Sequence, residues 1–187
     1  LHDIGKAPTK KFVEKIGWTF HGHEFLGSKM VKNLFTRMKL PLGTDMKYVQ
    51  KMVKLSSRPI ALIDDDATDS ALRRLLFDAG EDLEDLFTLC KADITTKNAL
   101  KQEKFKKNFE YVAKKIKEVE EKDHVRNFQP PISGEEIMEM FSLKPGREIG
   151  ILKEKVKEAI LEGEIANDKD EARNFVIKEA KILGLEI

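Results

Sequence analysis

Cysteine is almost missing: the 187 residues contain one, Cys90. A single thiol excludes an internal disulfide and fits a reducing compartment, so the expected location is cytoplasmic. Long apolar runs are missing too. None approaches the ~20 residues of a membrane span, no signal-peptide pattern is read, and no membrane partner is expected. Charge of one sign is absent: Lys and Arg number 34 against 33 Asp and Glu. Bulk charge therefore does not announce nucleic acid, and any basic surface must come from local segregation. Period-two alternation is scarce, which speaks for an all-α fold. Fixed-period repeats and low-complexity tracts are not found. An initiator Met is lacking and Leu1 opens inside what reads as a buried helix, so a fragment is expected. The remainder is ordinary for a globular chain, with 41% hydrophobic residues and length for one large or two small domains.

Gly5 and Pro8 are expected to end the first helix, and the Lys-rich segment 9–18 reads as a loop. A second helix opens near His21 or His23. It runs to Met38 with Phe25, Leu26, Met30, Val31, Leu34, Phe35 and Met38 at three- and four-residue spacing. Thr44 or Asp45 caps the next, which ends before Pro59. Asp64, Asp65 and Asp66 read as an acidic loop. Thr68 or Asp69 then caps a helix carrying Leu72, Leu75, Leu76 and Phe77, closed by Gly80. Another helix spans 82–92, with Cys90 on its apolar stripe as an inert core thiol and Asp93 at its end. Residues 97–121 hold neither Gly nor Pro and form one long Lys-rich helix. Pro130 and Pro131 mark the clearest boundary, dividing the chain into 1–128 and 129–187. Ser133 and Glu136 spell a capping box. Helices are expected over Arg147–Glu162, stopped by Gly163, and from Asp168 to about Leu183.

The chemistry starts with His2 and Asp3. Adjacent helical residues point about 100° apart, so both reach one point only in a crevice between helices. With a later His they offer imidazole nitrogen and carboxylate oxygen, the ligand set of a hydrolytic metal site. His21 reads as a helix-start residue making a local backbone bond, and His124 as a surface residue. A second candidate is the turn Pro145-Gly146-Arg147-Glu148-Ile149-Gly150. Pro145 fixes φ, Gly146 allows close approach, and the turn delivers a helix N-terminus whose N–H groups suit a phosphate. Lys144 and Arg147 flank it. Lys104 and Lys107 on the long helix form a candidate rail for RNA phosphates, or a plain solvated face.

The string Leu1–Lys6 with His23 resembles the H-D-I-G signature of the HD phosphohydrolase superfamily. The wider order of segments resembles the part of bacterial CCA-adding tRNA nucleotidyltransferases, with a fused HD domain, that follows their catalytic head. These segments are Leu1–Lys6, His21–Gly27, Arg37–Pro41, Arg58–Ile60, Asp69–Ala79, Cys90–Asp93, and Ile132–Gly134 through Lys144–Gly150 to Gly163. The resemblance implies a helical tRNA-binding portion. It places Mg²⁺, ATP and CTP in a head absent here, in keeping with the lack of a paired-carboxylate strand. It also implies a divalent metal site at His2, Asp3, His23 and Asp93. Two departures bear on that site: a ligand His expected upstream of Leu1 is not in the chain, and Ser56 and Ser57 stand where another His is expected. The alternative is a decayed site whose His and Asp residues bond to one another. Three functions follow: tRNA binding for 3′-end CCA addition, a metal-dependent phosphohydrolase acting on nucleotides or cyclic phosphates, and a helical adaptor for a protein partner.

Overall fold

A computed structural model describes residues 1–64, 67–95, 98–123, 126 and 128–185. In order, its elements are α1 (Lys6–Thr9), β1 (Lys11–Val13), β2 (Gly17–Thr19), α2 (His23–Arg37), α3 (Thr44–Leu55), α4 (Arg58–Asp64), α5 (Asp69–Ala79), a 3₁₀ turn (Gly80–Asp82), α6 (Leu83–Asp93), α7 (Ala99–Asp123), α8 (Gly134–Met140), α9 (Arg147–Glu162) and α10 (Lys169–Ile182). The fold is all-α with one small antiparallel hairpin. Asp65, Asp66 and His124 lie outside the described residues.

Contacts group the chain into two compact units. Unit 1 comprises Leu1–Asp65 and Asp82–Lys106; unit 2 comprises Asp66–Glu81 and Lys107–Ile187. This grouping differs from the division at Pro130 and Pro131, because α9 packs on α5 as well as on α8 and α10.

In unit 1, α2 lies along α3. Val31, Phe35, Met46 and Val53 form a buried cluster, with Val49 packed on it. Each such apolar side chain taken from water contributes about 1.5–3 kcal/mol. Cys90 of α6 donates its Sγ–H to the Ser56 carbonyl at 3.1 Å. Pro59 does not merely end a helix. It falls in the first turn of α4, where a missing N–H leaves no bond broken.

In unit 2, the Leu72, Leu75, Leu76 and Ala79 face of α5 is buried, as are Leu152, Val156 and Ile160 of α9 and Ala172, Val176 and Ala180 of α10. The Ser133 hydroxyl accepts from the Glu136 N–H at 3.1 Å, while Glu136 accepts from the Ser133 N–H at 2.8 Å, completing the expected capping box. Arg73 Nε donates to Asp123 Oδ2 at 2.7 Å, fastening α5 to the end of α7. Arg74 Nη2 reaches Glu158 at 2.6 Å and Glu162 at 2.5 Å on α9.

Three local expectations are corrected. Gly5 does not end a helix; residues 2–5 form turns, and α1 begins after Gly5 with Pro8 inside it. The segment 9–18 is not all loop, because Lys11 pairs with Thr19, Phe12 with Trp18 and Val13 with Gly17. Neither Thr44 nor Asp45 caps α3: Thr44 is already helical, and the N-cap Gly43 carries no side-chain acceptor.

Candidate functional site

The first site is built on a steric fit in unit 1. Gly5 has an ordinary φ of −72°, so conformational freedom is not its reason for being there. A Cβ at Gly5 would overlap the His23 carbonyl oxygen and stand 2.9 Å from the Gly27 nitrogen. Only a hydrogen atom lets the turn cross the start of α2 so closely. That crossing sets His2 and Asp3 beside His23.

The side chains expected from the sequence do come together. His2 Nε2 lies 3.1 Å from Asp93 Oδ1 and 3.5 Å from Asp3 Oδ2. His23 Nε2 lies 3.7 Å from Asp3 Oδ1. The His23 Nδ1 sits 2.9 Å from the Phe20 carbonyl. A carbonyl only accepts, so Nδ1 carries the proton in that bond, and Nε2 is left facing Asp3. The local backbone bond expected of His21 is therefore made by His23; His21 is exposed.

Two further residues belong to the cluster and were not singled out in the sequence. Lys6 donates to Asp3 Oδ2 at 2.8 Å. Their three-residue spacing was the available signal. Burial pushes the Asp3 carboxyl up, but the Lys6 hydrogen bond and the charges of His2, Lys6 and His23 outweigh it and hold its pKa below the usual range. Glu24 stands 3.3 Å from His23 Nδ1. Burial likewise raises its pKa, and the Ser57 hydroxyl, its own backbone N–H, His23 and Lys6 bring it down overall. Ser57, where an imidazole was expected, thus serves a carboxylate. Ser56 is buried and donates to the Val53 carbonyl at 3.0 Å. The Cys90 thiol is pushed up to about 12, chiefly by burial and further by Asp93, so it stays protonated and unreactive.

HD domains generally use divalent metals, and the donor types here suit one. The arrangement does not: among the described residues no group of three or more His, Cys, Asp and Glu is placed to hold a metal ion. An ammonium already neutralises Asp3. The four expected ligands pair with one another and with Lys6 instead. His2 Nε2 is the exception, buried and without a hydrogen-bond partner, since Asp93 lies at the right distance but the wrong angle.

The second candidate site lies in unit 2. Lys144, Gly146, Arg147 and Gly150 are all exposed. Gly146 is the N-cap of α9 and makes no side-chain capping bond, so the first N–H groups of the helix lack that partner. Its φ of −161° is extended and open to any residue; the left-handed requirement expected there is absent. A Cβ at Gly146 would meet the Glu148 carboxylate at 2.7 Å, which shows that Glu148 folds back toward the helix start. A Cβ at Gly150 would meet nothing within 4 Å. Packing therefore does not demand that glycine. Lys104 and Lys107 are exposed on α7.

No helix among the described residues is long and apolar enough to cross a membrane. No solved structure matches the chain. The chain is 30% identical over 183 residues to an A-adding tRNA nucleotidyltransferase of Deinococcus radiodurans, covering 97% of this chain and 40% of the relative. It is 28% identical over 178 residues to a CC-adding tRNA nucleotidyltransferase of Thermus thermophilus, covering 95% of this chain and 38% of the relative. It thus spans about 40% of the length of the curated relatives it matches. The family model for the HD domain matches residues 1–98, which takes in His2, Asp3, His23 and Asp93. The His-Asp turn, the α2 histidine and the α6 aspartate that meet in unit 1 lie within that match, and the chain belongs to the HD domain family.

Proposed function

We propose that this chain is the tRNA-gripping portion of a nucleotidyltransferase that adds or repairs the 3′ CCA end of tRNA. The observation that carries the reading is the reach of the similarity. It covers 97% of the chain, so it includes the HD-matched segment and everything after it. A shared HD domain alone would stop near residue 98. In this reading residues 1–128 are the HD-type domain and 129–187 the tRNA-binding module, and the protein works in the cytoplasm. Transfer chemistry, with its Mg²⁺, ATP and CTP, belongs to the length of the relatives that this chain does not span. Neither β1 nor β2 carries an Asp or Glu, so neither offers a pair of carboxylates to such a reaction.

RNA phosphates are held by the uncapped start of α9 with Lys144 and Arg147, and by Lys104 and Lys107. Structured RNA is read there through backbone geometry and 2′-hydroxyls rather than base order. Glu148 competes with the phosphate for the helix start. The test is tRNA affinity against salt for four proteins, each with a melting curve. Arg147→Ala should lower the log–log salt slope by about 0.7–0.9, one phosphate contact. Gly150→Ala should stabilise α9 by up to ~1 kcal/mol, yet weaken tRNA about fivefold, the worth of one hydrogen bond of ~1 kcal/mol. Glu148→Gln should tighten binding. Unchanged affinity and slope in all three folded variants would reduce the turn to architecture.

One observation favours a second reading, a metal-dependent phosphohydrolase acting on nucleotides or cyclic phosphates: the unpartnered Nε2 of His2. Against it stand the Lys6 ammonium on Asp3 and the serines in place of a further imidazole. In the favoured reading the His2, Asp3, His23 and Asp93 cluster is an ion-paired clasp and holds no tight metal.

A further inference from the structure

The hairpin of unit 1 turns its most apolar face outward. Directly paired residues of an antiparallel ladder share a face. Phe12 pairs with Trp18, and both rings are exposed, at 60% and 58%. Their centroids are 5.3 Å apart with the planes at 72°, an edge contact. The opposite face carries the Lys11–Thr19 pair, and there Thr19 is buried, its hydroxyl donating to the Lys11 carbonyl at 3.1 Å. Folding for burial alone would place the aromatic pair inside and the threonine outside. The reverse arrangement needs a reason outside the fold of the chain.

The surroundings of the rings indicate what the reason is. Lys10 Nζ stands 4.3 Å from the Trp18 ring centroid. Lys10, Lys11 and Lys15 are exposed on this segment against a single carboxylate, Glu14. At the start of α2 the same arrangement recurs, with Lys29 Nζ 4.0 Å over the ring of Phe25, itself 56% exposed. Trp18 also borders a cleft of about 490 Å³ lined by Lys6, Phe20 and His21 as well as His23 and Glu24. Exposed rings interleaved with lysines are what unpaired nucleotides require, since bases stack on the rings and phosphates meet the ammonium groups. A dry protein interface is depleted in lysine at its core, and the ammonium over Trp18 is out of place there. An exposed lysine is readily exchanged: when a base takes the ring face, Lys10 moves from ring to phosphate.

We propose that the Phe12–Trp18 face of the hairpin is a stacking platform for unpaired RNA nucleotides, with Lys10, Lys11 and Lys15 as its phosphate contacts. This rests on the tRNA-binding reading, and adds to it a site for single-stranded RNA distinct from the start of α9. Trp18 is the sole tryptophan of the chain, so its emission reports the platform alone. The experiment titrates the 187-residue chain with a short single-stranded RNA oligonucleotide and with tRNA. Trp18 emission and RNA anisotropy are read together. Both RNAs should quench Trp18. Trp18→Ala and Phe12→Ala should each weaken the oligonucleotide about tenfold, with Trp18→Phe recovering most of the loss. Both rings are exposed, so the melting curves should hold.

Three results overturn the proposal in distinguishable ways. If tRNA binds and responds to Arg147→Ala while Trp18 emission and the Trp18→Ala affinity stay unchanged, the platform is wrong and the tRNA reading stands. The hairpin then serves a protein partner. If the oligonucleotide binds without quenching, the single strand lies elsewhere. If neither RNA binds, platform and tRNA reading fall together.

Discussion

The two units hold their candidate sites in opposite ways. In unit 1 the site residues sit where backbones touch. Gly5 crosses α2 with no room for a methyl group, and the side chains around it are tied by polar pairs from three segments, His2 to Asp93, Asp3 to Lys6 and His23 to Asp3. In unit 2 the scaffold is made by apolar helix faces and Arg73 and Arg74, and the candidate RNA residues of α9 lie exposed outside it. Stability and site geometry are therefore one property in unit 1 and separable in unit 2. A change in the first site is felt by the fold. A change in the second is felt by the ligand.

The sharpest break is Gly5→Ala. The added carbon has to displace backbone rather than a flexible side chain, so the cost should be about 3 kcal/mol, the upper range for overpacking. For a chain of this size the melting temperature should then fall by roughly 6–12 °C. An unchanged melting curve would mean that the crossing is not what holds His2 and Asp3.

Arg73→Ala probes the scaffold of unit 2. Its guanidinium and the Asp123 carboxylate are only 11% and 20% exposed, with a 2.7 Å bond between them, so truncation leaves a largely buried carboxylate without its cation. The expected cost is about 2 kcal/mol, read as a lowered denaturation midpoint. tRNA affinity should remain, because nothing at the start of α9 is touched. Loss of binding in a protein that melts normally would contradict the separation of scaffold and ligand site.

The smallest effect is expected from metal removal. Exhaustive chelation should leave the melting temperature unchanged, because Lys6 already supplies the positive charge at Asp3. About one metal ion per chain by elemental analysis, lost in Asp3→Ala, together with a lower melting temperature after chelation, would favour the phosphohydrolase reading.

Much of the helical pattern was legible because it is local. The bounds of α9 follow from the Gly146 and Gly163 punctuation, and α8 from its capping box. The meeting of His2, Asp3, His23 and Asp93 followed from the family resemblance. What escaped was tertiary or very short. Two three-residue strands cannot show alternation. Pro59 reads equally as the end of one helix and the opening of the next. Phe25 falls on the apolar stripe of α2 by spacing, yet it is 56% exposed, because the face that α3 covers is narrower than the stripe. Gly5 next to Pro8 looks like a helix terminator, and only the approach of α2 reveals a contact point. Lys6 stood within the signature string, but its place on Asp3 depends on a turn whose shape that contact sets.

Cys90 gives the molecule a clock. The thiol is buried, held by the Ser56 carbonyl, and raised to about 12, so an alkylating reagent finds almost no thiolate while α6 is in place. Reaction needs the segment to open. The alkylation rate of the native chain then measures how often this part of unit 1 opens, one event at a time, well below the temperature at which the protein melts.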